Sequence, residues 1–188
     1  MRLLVNIAIF ATLLGVGNAV SIPTTRSSKR PQISTLEDIP KLPEGFTWDI
    51  KNRPKGDDTR TKTSSKTLNS RSDGLQKRAV TIDCSGHSGH PPIWDDCKRL
   101  ADQLANYKSD ILVDPGYCHQ ASFGTCLAYV CAKCEQITID SDDWARVHHA
   151  LIEQCVGNGE SGYAFDPSAD NFEVGIEHSG DELPPYQC

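Results

Sequence analysis

Residues 118–134, CHQASFGTCLAYVCAKC, hold four of the chain's eight cysteines and its clearest β-strand pattern. From 120 to 130 the side chains alternate between two faces, one with Ala121, Phe123, Thr125, Leu127 and Tyr129, the other with Ser122, Gly124, Cys126, Ala128 and Val130. Such alternation is typical of a β-strand. Ala132 and Lys133 then predict a tight hairpin turn, after which residues 135–140 return as a second strand. We therefore expect this stretch to form the centre of a sheet.

Segments with a helical period lie on both sides of this stretch. The first predicts a helix over 93–108, since Ile93, Cys97, Leu100, Ala101 and Leu104 share one face. The second begins after Asp140 or Ser141, either of which is an expected N-cap. Its apolar face contains Trp144, Val147, His148, Leu151, Ile152 and Cys155, and Gly157 and Gly159 end it.

Alternating apolar residues predict further strands at 79–84 and 171–178, and shorter ones at 111–113 and 162–165. The resulting order is β-α-β-β-α-β, a split β-α-β arrangement. Its antiparallel sheet would be covered on one face by the two helices. The expected fold class is thus α+β, in the form of a small disulfide-rich α/β sandwich.

The amino terminus is typical of a secretory signal. Arg2 precedes an almost wholly apolar run, and small residues end it at Ala19, so we expect residues 1–19 to be removed. The apolar run is too short for a transmembrane helix, and no later segment is apolar enough to serve as a membrane anchor. The sequence therefore predicts a secreted, extracellular protein.

Residues 20–78 differ in composition from the remainder of the chain. They are rich in Ser, Thr, Pro, Lys and Arg, contain no cysteine, and predict a disordered basic pro-segment. The segment ends in Lys77 and Arg78, a dibasic pair of the kind that subtilisin-like processing proteases cut. Cleavage there would release residues 79–188 as the mature domain. The pair Lys29-Arg30 is a second candidate cleavage site, and the sequence does not decide whether it is cut.

The two parts carry opposite charge. Residues 79–188 contain 18 acidic and 5 basic residues, a formal charge of −13, whereas residues 20–78 have a charge of +6. Two interpretations are open: the pro-segment screens the acidic domain during folding, or its basic residues simply accompany the processing sites. The acidic balance argues against a phosphate-binding surface, because counterion release requires clustered Lys and Arg. We therefore expect no nucleic-acid partner.

Every cysteine of the chain follows the dibasic site. In an exported protein they are expected to form disulfides, and the eight are Cys84, Cys97, Cys118, Cys126, Cys131, Cys134, Cys155 and Cys188. Spacing does not select among their 105 possible pairings. Cys126 and Cys131 are five apart on one strand, point to opposite faces and need different partners. Cys97 and Cys155 lie on apolar helix faces and indicate helix-to-sheet bridges.

Other candidate sites have simpler structural explanations. Cys131 and Cys134 form a CxxC motif, but the strand and helix of a thioredoxin-like redox site do not flank it. His87 and His90, with His119 or His178, lack the spacing of a zinc framework, so no metal or cofactor is expected. His148 is interpreted as a hydrogen-bonded core histidine, and His149 as more exposed.

Catalytic patterns are similarly weak. The acidic pairs Asp95-Asp96 and Asp142-Asp143 lie at helix starts, where capping accounts for them. Ser122 is not in a nucleophile elbow. A ribonuclease would require His and Glu with an arginine around a phosphate, and the mature domain offers Arg99 and Arg146, both on predicted helices.

Several segments together resemble a known family. PPIWDDCKRLADQL, CHQASFGTCLAYV, ITIDSDDWARVHHALIEQC and NFEVGIE are similar to the fungal necrosis-inducing secreted effectors, which pair an Asp-Cys in a first helix with a Phe/Tyr-Gly-Thr-Cys strand. That family resembles the killer toxins of fungi, with a disulfide-rich α/β sandwich and dibasic processing. Cys118, the pair Cys131 and Cys134, and the acidic tail to Cys188 lie outside the matching pattern.

The resemblance implies a killer-toxin-like fold and a virulence role without catalysis. The expected function is thus a secreted cysteine-rich effector or toxin-like protein. Its target would be an unidentified cell-surface or apoplastic component of host or competitor cells. The alternative is a small secreted hydrolase of ribonuclease type.

Overall fold

The computed structural model describes residues 30–53, 66–68, 80–86, 89–167, 169, 171–183 and 185. These residues form two α-helices and ten strands, most of them antiparallel, so the protein belongs to the α+β class. The signal segment 1–19 and the processing pair Lys77-Arg78 lie outside the described residues, and their assignment stays a prediction.

Seven strands form the main sheet, in the order β2-β6-β7-β10-β9-β4-β3. Every neighbouring pair in it is antiparallel. The strands are β2 (Phe46–Asn52), β3 (Lys66–Leu68), β4 (Val80–Asp83), β6 (Tyr117–Phe123), β7 (Cys126–Ala132), β9 (Gly162–Phe165) and β10 (Phe172–His178).

A smaller sheet of three strands has the order β1-β5-β8. Its members are β1 (Gln32–Ile33), β5 (Asp110–Val113) and β8 (Ile137–Asp140). β1 runs parallel to β5, and β8 runs antiparallel to it. The strand expected at 135–140 therefore exists, but the predicted hairpin through Ala132 and Lys133 is wrong. Lys133 instead donates its backbone N–H to Asn171, which keeps it beside the start of β10.

Helices α1 (Trp94–Asn106) and α2 (Ser141–Gln154) pack against each other and against one face of the main sheet. We call that side of the sheet the inner face and the opposite side the outer face. The core between helices and sheet includes Leu100, Leu104, Leu151, Val130 and Ile176, all fully buried. Asp140 caps α2 as expected, accepting a hydrogen bond from the Asp142 N–H at 2.8 Å.

The central stretch is a hairpin rather than one long strand. β6 and β7 meet at Gly124, which has a φ of +56° and where a Cβ would lie 2.4 Å from an Asp96 carboxylate oxygen. The same oxygen accepts hydrogen bonds from the Thr125 N–H at 2.8 Å and its hydroxyl at 2.9 Å. The single-strand prediction is wrong because the two faces exchange at the turn, where Phe123 lies opposite Cys126. The sequence does not reveal this exchange, because β7 is buried along its whole length and has no polar face.

Three disulfides join described cysteines. Cys97 of α1 bonds Cys126 of β7, and Cys84 bonds Cys155 at the end of α2, so both expected helix-to-sheet bridges are confirmed. The third bridge, Cys118–Cys131, joins β6 to β7 on the outer face. Cys126 and Cys131 therefore have different partners on opposite faces, as their spacing indicated. Cys134 is disulfide-bonded as well, and Cys188 lies outside the described residues.

The sequence predicts a mostly disordered pro-segment, and this does not hold for residues 30–53. Their strand β2 pairs along the whole length of β6, from Phe46 opposite Phe123 to Asn52 opposite Tyr117. The prediction fails because it counted apolar residues over the whole segment. Two of its large apolar side chains, Ile33 and Trp48, lie in this part and are buried.

Among the described residues no helix is long and apolar enough to cross a membrane.

Candidate functional site

The outer face of the main sheet is polar yet largely buried. Strand alternation places on it Thr47, Asp49, Lys51, Gln120, Ser122, Tyr129, Glu173, Glu177, Tyr163 and Asp83. Glu173 and Glu177 are each only 1% exposed. Burial of a carboxylate is unfavourable unless it is hydrogen-bonded or paired with a cation, so these side chains indicate a built polar site.

Glu173 is at the centre of this site. Its Oε1 receives a hydrogen bond from the Tyr129 hydroxyl at 2.9 Å and an ion pair from the Arg53 guanidinium at 3.1 Å. Burial raises the pKa of Tyr129 well above its usual value, and the neighbouring Glu173 raises it further, so the phenol remains a donor. The carboxylate is thus held from two sides by a neutral donor and a cation.

Gly175 makes room for the tyrosine. It lies opposite Tyr129 in the β10–β7 ladder, and a Cβ built there would lie 2.2 Å from the Tyr129 ring. Because the aromatic ring lies across the bare backbone, its hydroxyl reaches Glu173 two residues away. A glycine in a strand interior commonly marks such a close approach.

A second polar cluster lies at the β4 side of the same face. The Tyr163 hydroxyl donates to Asp83 at 3.1 Å, and the other oxygen of Asp83 accepts from the Ser85 N–H at 2.8 Å and its hydroxyl at 2.6 Å. Phe165 stacks on Tyr163 with 5.8 Å between ring centroids. This cluster holds Ser85 just after the end of β4 and has the character of a structural contact.

A cavity of about 640 Å³ opens at the other side of the outer face. Its lining comprises Thr47, Asp49, Lys51, Asn52, Arg53, Cys118, Gln120, Ser122, Leu127, Ser179, Gly180, Asp181, Glu182 and Leu183. Side chains of both charges and several hydroxyl and amide groups are therefore brought together. Arg53 connects this cavity to the Glu173 network, since it lines the former and pairs with the latter.

The histidines are not brought together as a metal site. No group of three potential metal ligands occurs among the described residues. His90 and His178 approach each other, with ring centroids 6.4 Å apart, and His87 lies outside the described part of the chain. His119 lies on the inner face, where its Nδ1 accepts a hydrogen bond from the Trp48 indole at 3.3 Å. Burial lowers the pKa of His119 to about 4, against the opposing effect of the Leu112 backbone.

His148 is a core residue, but the prediction that it is hydrogen-bonded is wrong. It is completely buried, and neither ring nitrogen has a partner among the described residues. Burial lowers its pKa to about 3, so the ring is neutral at physiological pH. His149 is partly exposed and lies 3.4 Å from Asp102.

The CxxC motif is not a redox pair, because Cys131 is bonded to Cys118. The acidic pairs also have structural partners: Asp96 holds the hairpin turn, Asp142 pairs with Lys108 and Asp143 pairs with Arg146. Ser122 bonds the hydroxyl of Thr47 at 2.6 Å. Arg99 lies over the Phe123 ring at 4.8 Å. Neither helix arginine is therefore joined to a His-Glu pair by these contacts.

Sequence reasoning did not identify Arg53, Tyr129 and Glu173. In NFEVGIE the glutamates alternate with buried apolar residues, so the pattern indicates a solvent-facing side and carries no sign that this side is covered. Arg53 lies in the segment that composition assigned to disorder. One available signal was Gly175, a glycine in the interior of a strand whose apolar residues alternate clearly.

Comparison with known proteins identified no relative: neither a protein-family model nor a curated protein sequence matches this chain.

Proposed function

We propose that this protein is a secreted, disulfide-rich effector or toxin-like protein that acts by binding a target through the outer-face cavity. One observation carries the proposal: a polar cavity of about 640 Å³ is built on a sheet cross-linked directly beneath it by Cys118–Cys131. Cross-linked small proteins of this kind are typical of oxidising, extracellular environments. A rigid wall also reduces the ordering cost of binding.

The cavity chemistry defines the class of target. Asp49, Lys51 and Glu182 offer charge of both signs, and Gln120 and Ser122 offer amide and hydroxyl groups. Such a lining suits a polar surface component of a host or competitor cell better than an apolar ligand. The finer assignment, a necrosis-inducing effector with a killer-toxin-like split β-α-β fold, rests on the sequence resemblance.

The test compares two aspartates of similar exposure. Asp49 lines the cavity with a side chain 50% exposed, and Asp102 lies on α1 with a side chain 52% exposed. We expect Asp49→Arg to reduce the response of plant tissue, or the growth inhibition of other microbes, at least tenfold. Asp102→Arg, which changes the same charge elsewhere, should leave it unchanged. A wild-type protein inactive in both assays would remove the support for this function.

A ribonuclease-like hydrolase is the second candidate, favoured by one contact. Arg53 and Glu173 place a cation and a carboxylate 3.1 Å apart beside the cavity, which are two of the groups that such an enzyme uses around a phosphate. Incubating the secreted protein with RNA and with glycans distinguishes the candidates. Turnover that is lost in a Glu173→Gln or a His149→Gln variant would favour the hydrolase over the binding protein.

A further inference from the structure

We infer that the β6 edge of the domain is a strand-binding site, that its ligand is the chain's own segment 46–53, and that this segment stays bound after cleavage at Lys77–Arg78. The inference concerns how the two processed pieces associate. It does not require the outer-face cavity to bind a target, so a negative activity assay would leave it standing. Because residues within 47–53 line that cavity, the proposed function of the processed protein depends on this retention.

The first argument is topological. All three strands that the pro-segment contributes among the described residues lie at sheet edges: β2 and β3 at the two ends of the main sheet and β1 at one end of the small sheet. The strands between them, β6-β7-β10-β9-β4 and β5-β8, come wholly from residues 79–188. The pro-segment thus joins the domain by strand addition, a recurring way in which extended peptides bind proteins.

The second argument is an aromatic slot on the inner face. Trp48 is only 8% exposed, and its ring makes edge contacts with Trp144 and Tyr107 at centroid distances of 5.4 and 5.5 Å. Its indole N–H donates to His119 at 3.3 Å. A buried tryptophan whose N–H is satisfied by the receiving domain is the type of residue that anchors interfaces.

The third argument is a buried ion pair on the outer face. Arg53 follows the end of β2 and pairs with Glu173 of β10, and both side chains are only 2% exposed. Departure of the segment would leave Glu173 without this cation in a site built for it. Removing one partner of a buried ion pair is strongly unfavourable, so this contact opposes dissociation.

The spacing of Trp48 and Arg53 defines the kind of segment that the site binds. Trp48 and Arg53 are five residues apart, an odd number, so on an extended strand they point to opposite faces of the sheet. The bound segment therefore contacts both faces of the main sheet at the β6 edge. The site selects an extended segment with a tryptophan and an arginine in this spacing.

Charge supports the same conclusion. The pro-segment carries a formal charge of +6 and residues 79–188 carry −13, and no cysteine in residues 20–78 could tether the cut segment covalently. Arg30 adds a contact at the far end of the segment, where it pairs with Asp140 and Asp142. Retention after cleavage would consequently be non-covalent and measurable as such.

The experiment uses the full-length secreted chain with a viral-protease recognition sequence placed over residues 72–78. After cutting, we expect native mass spectrometry and size-exclusion chromatography at micromolar concentration to show both pieces in one particle. A denaturing gel of the same sample should show two. Complete separation of the wild-type pieces under native conditions would overturn the inference.

Two substitutions on the same strand face, one of an arginine and one of a lysine, provide a test and its matched control. Arg53→Ala should accelerate dissociation of the cut pieces by about 100-fold, because Glu173 loses its buried partner. Lys51→Ala removes the same charge from the same strand face, but its side chain is 60% exposed, so dissociation should change less than about threefold. Equal effects of the two substitutions would show that only overall charge holds the pieces together.

A peptide competition on the wild-type chain covers the case in which Arg53→Ala does not fold. A labelled peptide of residues 44–54 should exchange into the cut protein and displace the resident segment. Peptides with Trp48→Ala or Arg53→Ala should require at least tenfold higher concentration. If both substituted peptides displace the segment at the same concentration as the wild-type peptide, the strand-binding site is contradicted.

Discussion

The two faces of the main sheet arise from the same alternating strands but are stabilised by different interactions. The inner face buries Ala128, Val130 and Ile176 beneath two helices, and such packing depends on volume and apolar area. The outer face buries Glu173 in an ion pair and a hydrogen bond that join three strands. Packing tolerates many substitutions of similar volume, whereas the polar network depends on each partner.

The largest difference between the faces should appear when one member of the network is removed. Arg53→Met is expected to lower the free energy of unfolding by about 3–5 kcal/mol, because Glu173 then remains buried without its cation. Adding Glu173→Leu removes the buried carboxylate and should restore most of the loss. Urea unfolding of the uncut chain measures both. A double variant as unstable as the single one would contradict the assignment of the loss to buried charge.

Disulfide removal compares the two faces directly. Cys97–Cys126 closes a separation of 29 residues on the inner face, and Cys118–Cys131 closes one of 13 on the outer face. Loop-closure entropy predicts losses of about 3.6 and about 2.9 kcal/mol for the paired Cys→Ala variants. Thermal unfolding of each double variant checks this order. If removal of the outer bridge is the more damaging, the polar network depends on that bridge beyond its chain entropy.

The inner face could be predicted from sequence to a much greater extent than the outer face. Local periodicity predicted α1, α2, β4, β9 and β10, and it placed Cys97 and Cys155 where they bridge helix to sheet. These features follow from nearby residues and one apolar face. Periodicity gave no information about partners that are distant in sequence.

The outer site could not be predicted because its members are far apart. Arg53 and Glu173 are separated by 120 residues, and each is unremarkable in its own segment. Composition averaged over residues 20–78 hid the short ordered part around Trp48. The hairpin at Gly124 was missed because β7 is buried on both faces, so the pattern did not show that the faces exchange at the turn.

Gly175→Ala tests how closely the outer face is packed. A Cβ there would lie 2.2 Å from the Tyr129 ring, so the ring must move away from Glu173. We expect a loss of about 3 kcal/mol, at the upper end for overpacking. Gly89→Ala is the control, since nothing lies within 4 Å of its Cβ position. Chemical unfolding that finds the two substitutions equally mild would show that Tyr129 relaxes without cost.

The smallest expected effect is a dependence on pH that belongs to the inner face. Burial lowers the pKa of His148 to about 3, from an ordinary value of 6.5. The unfolded chain therefore takes up a proton on this ring at a higher pH than the folded protein does. Its contribution to stability is complete above pH 6.5 and is lost as the pH falls from there toward 3.

Between pH 6.5 and pH 5 this ring alone should lower the free energy of unfolding by about 1.6 kcal/mol. His148→Leu has a similar volume and no titrating group, so it should reduce the slope of the profile over this range. His149→Gln, a neighbouring change on the partly exposed side of α2, should leave the slope in place. Urea unfolding at several pH values distinguishes them. Because His119 adds a slope of the same sign, some dependence must persist in His148→Leu, and a completely flat wild-type profile would contradict the burial of both rings.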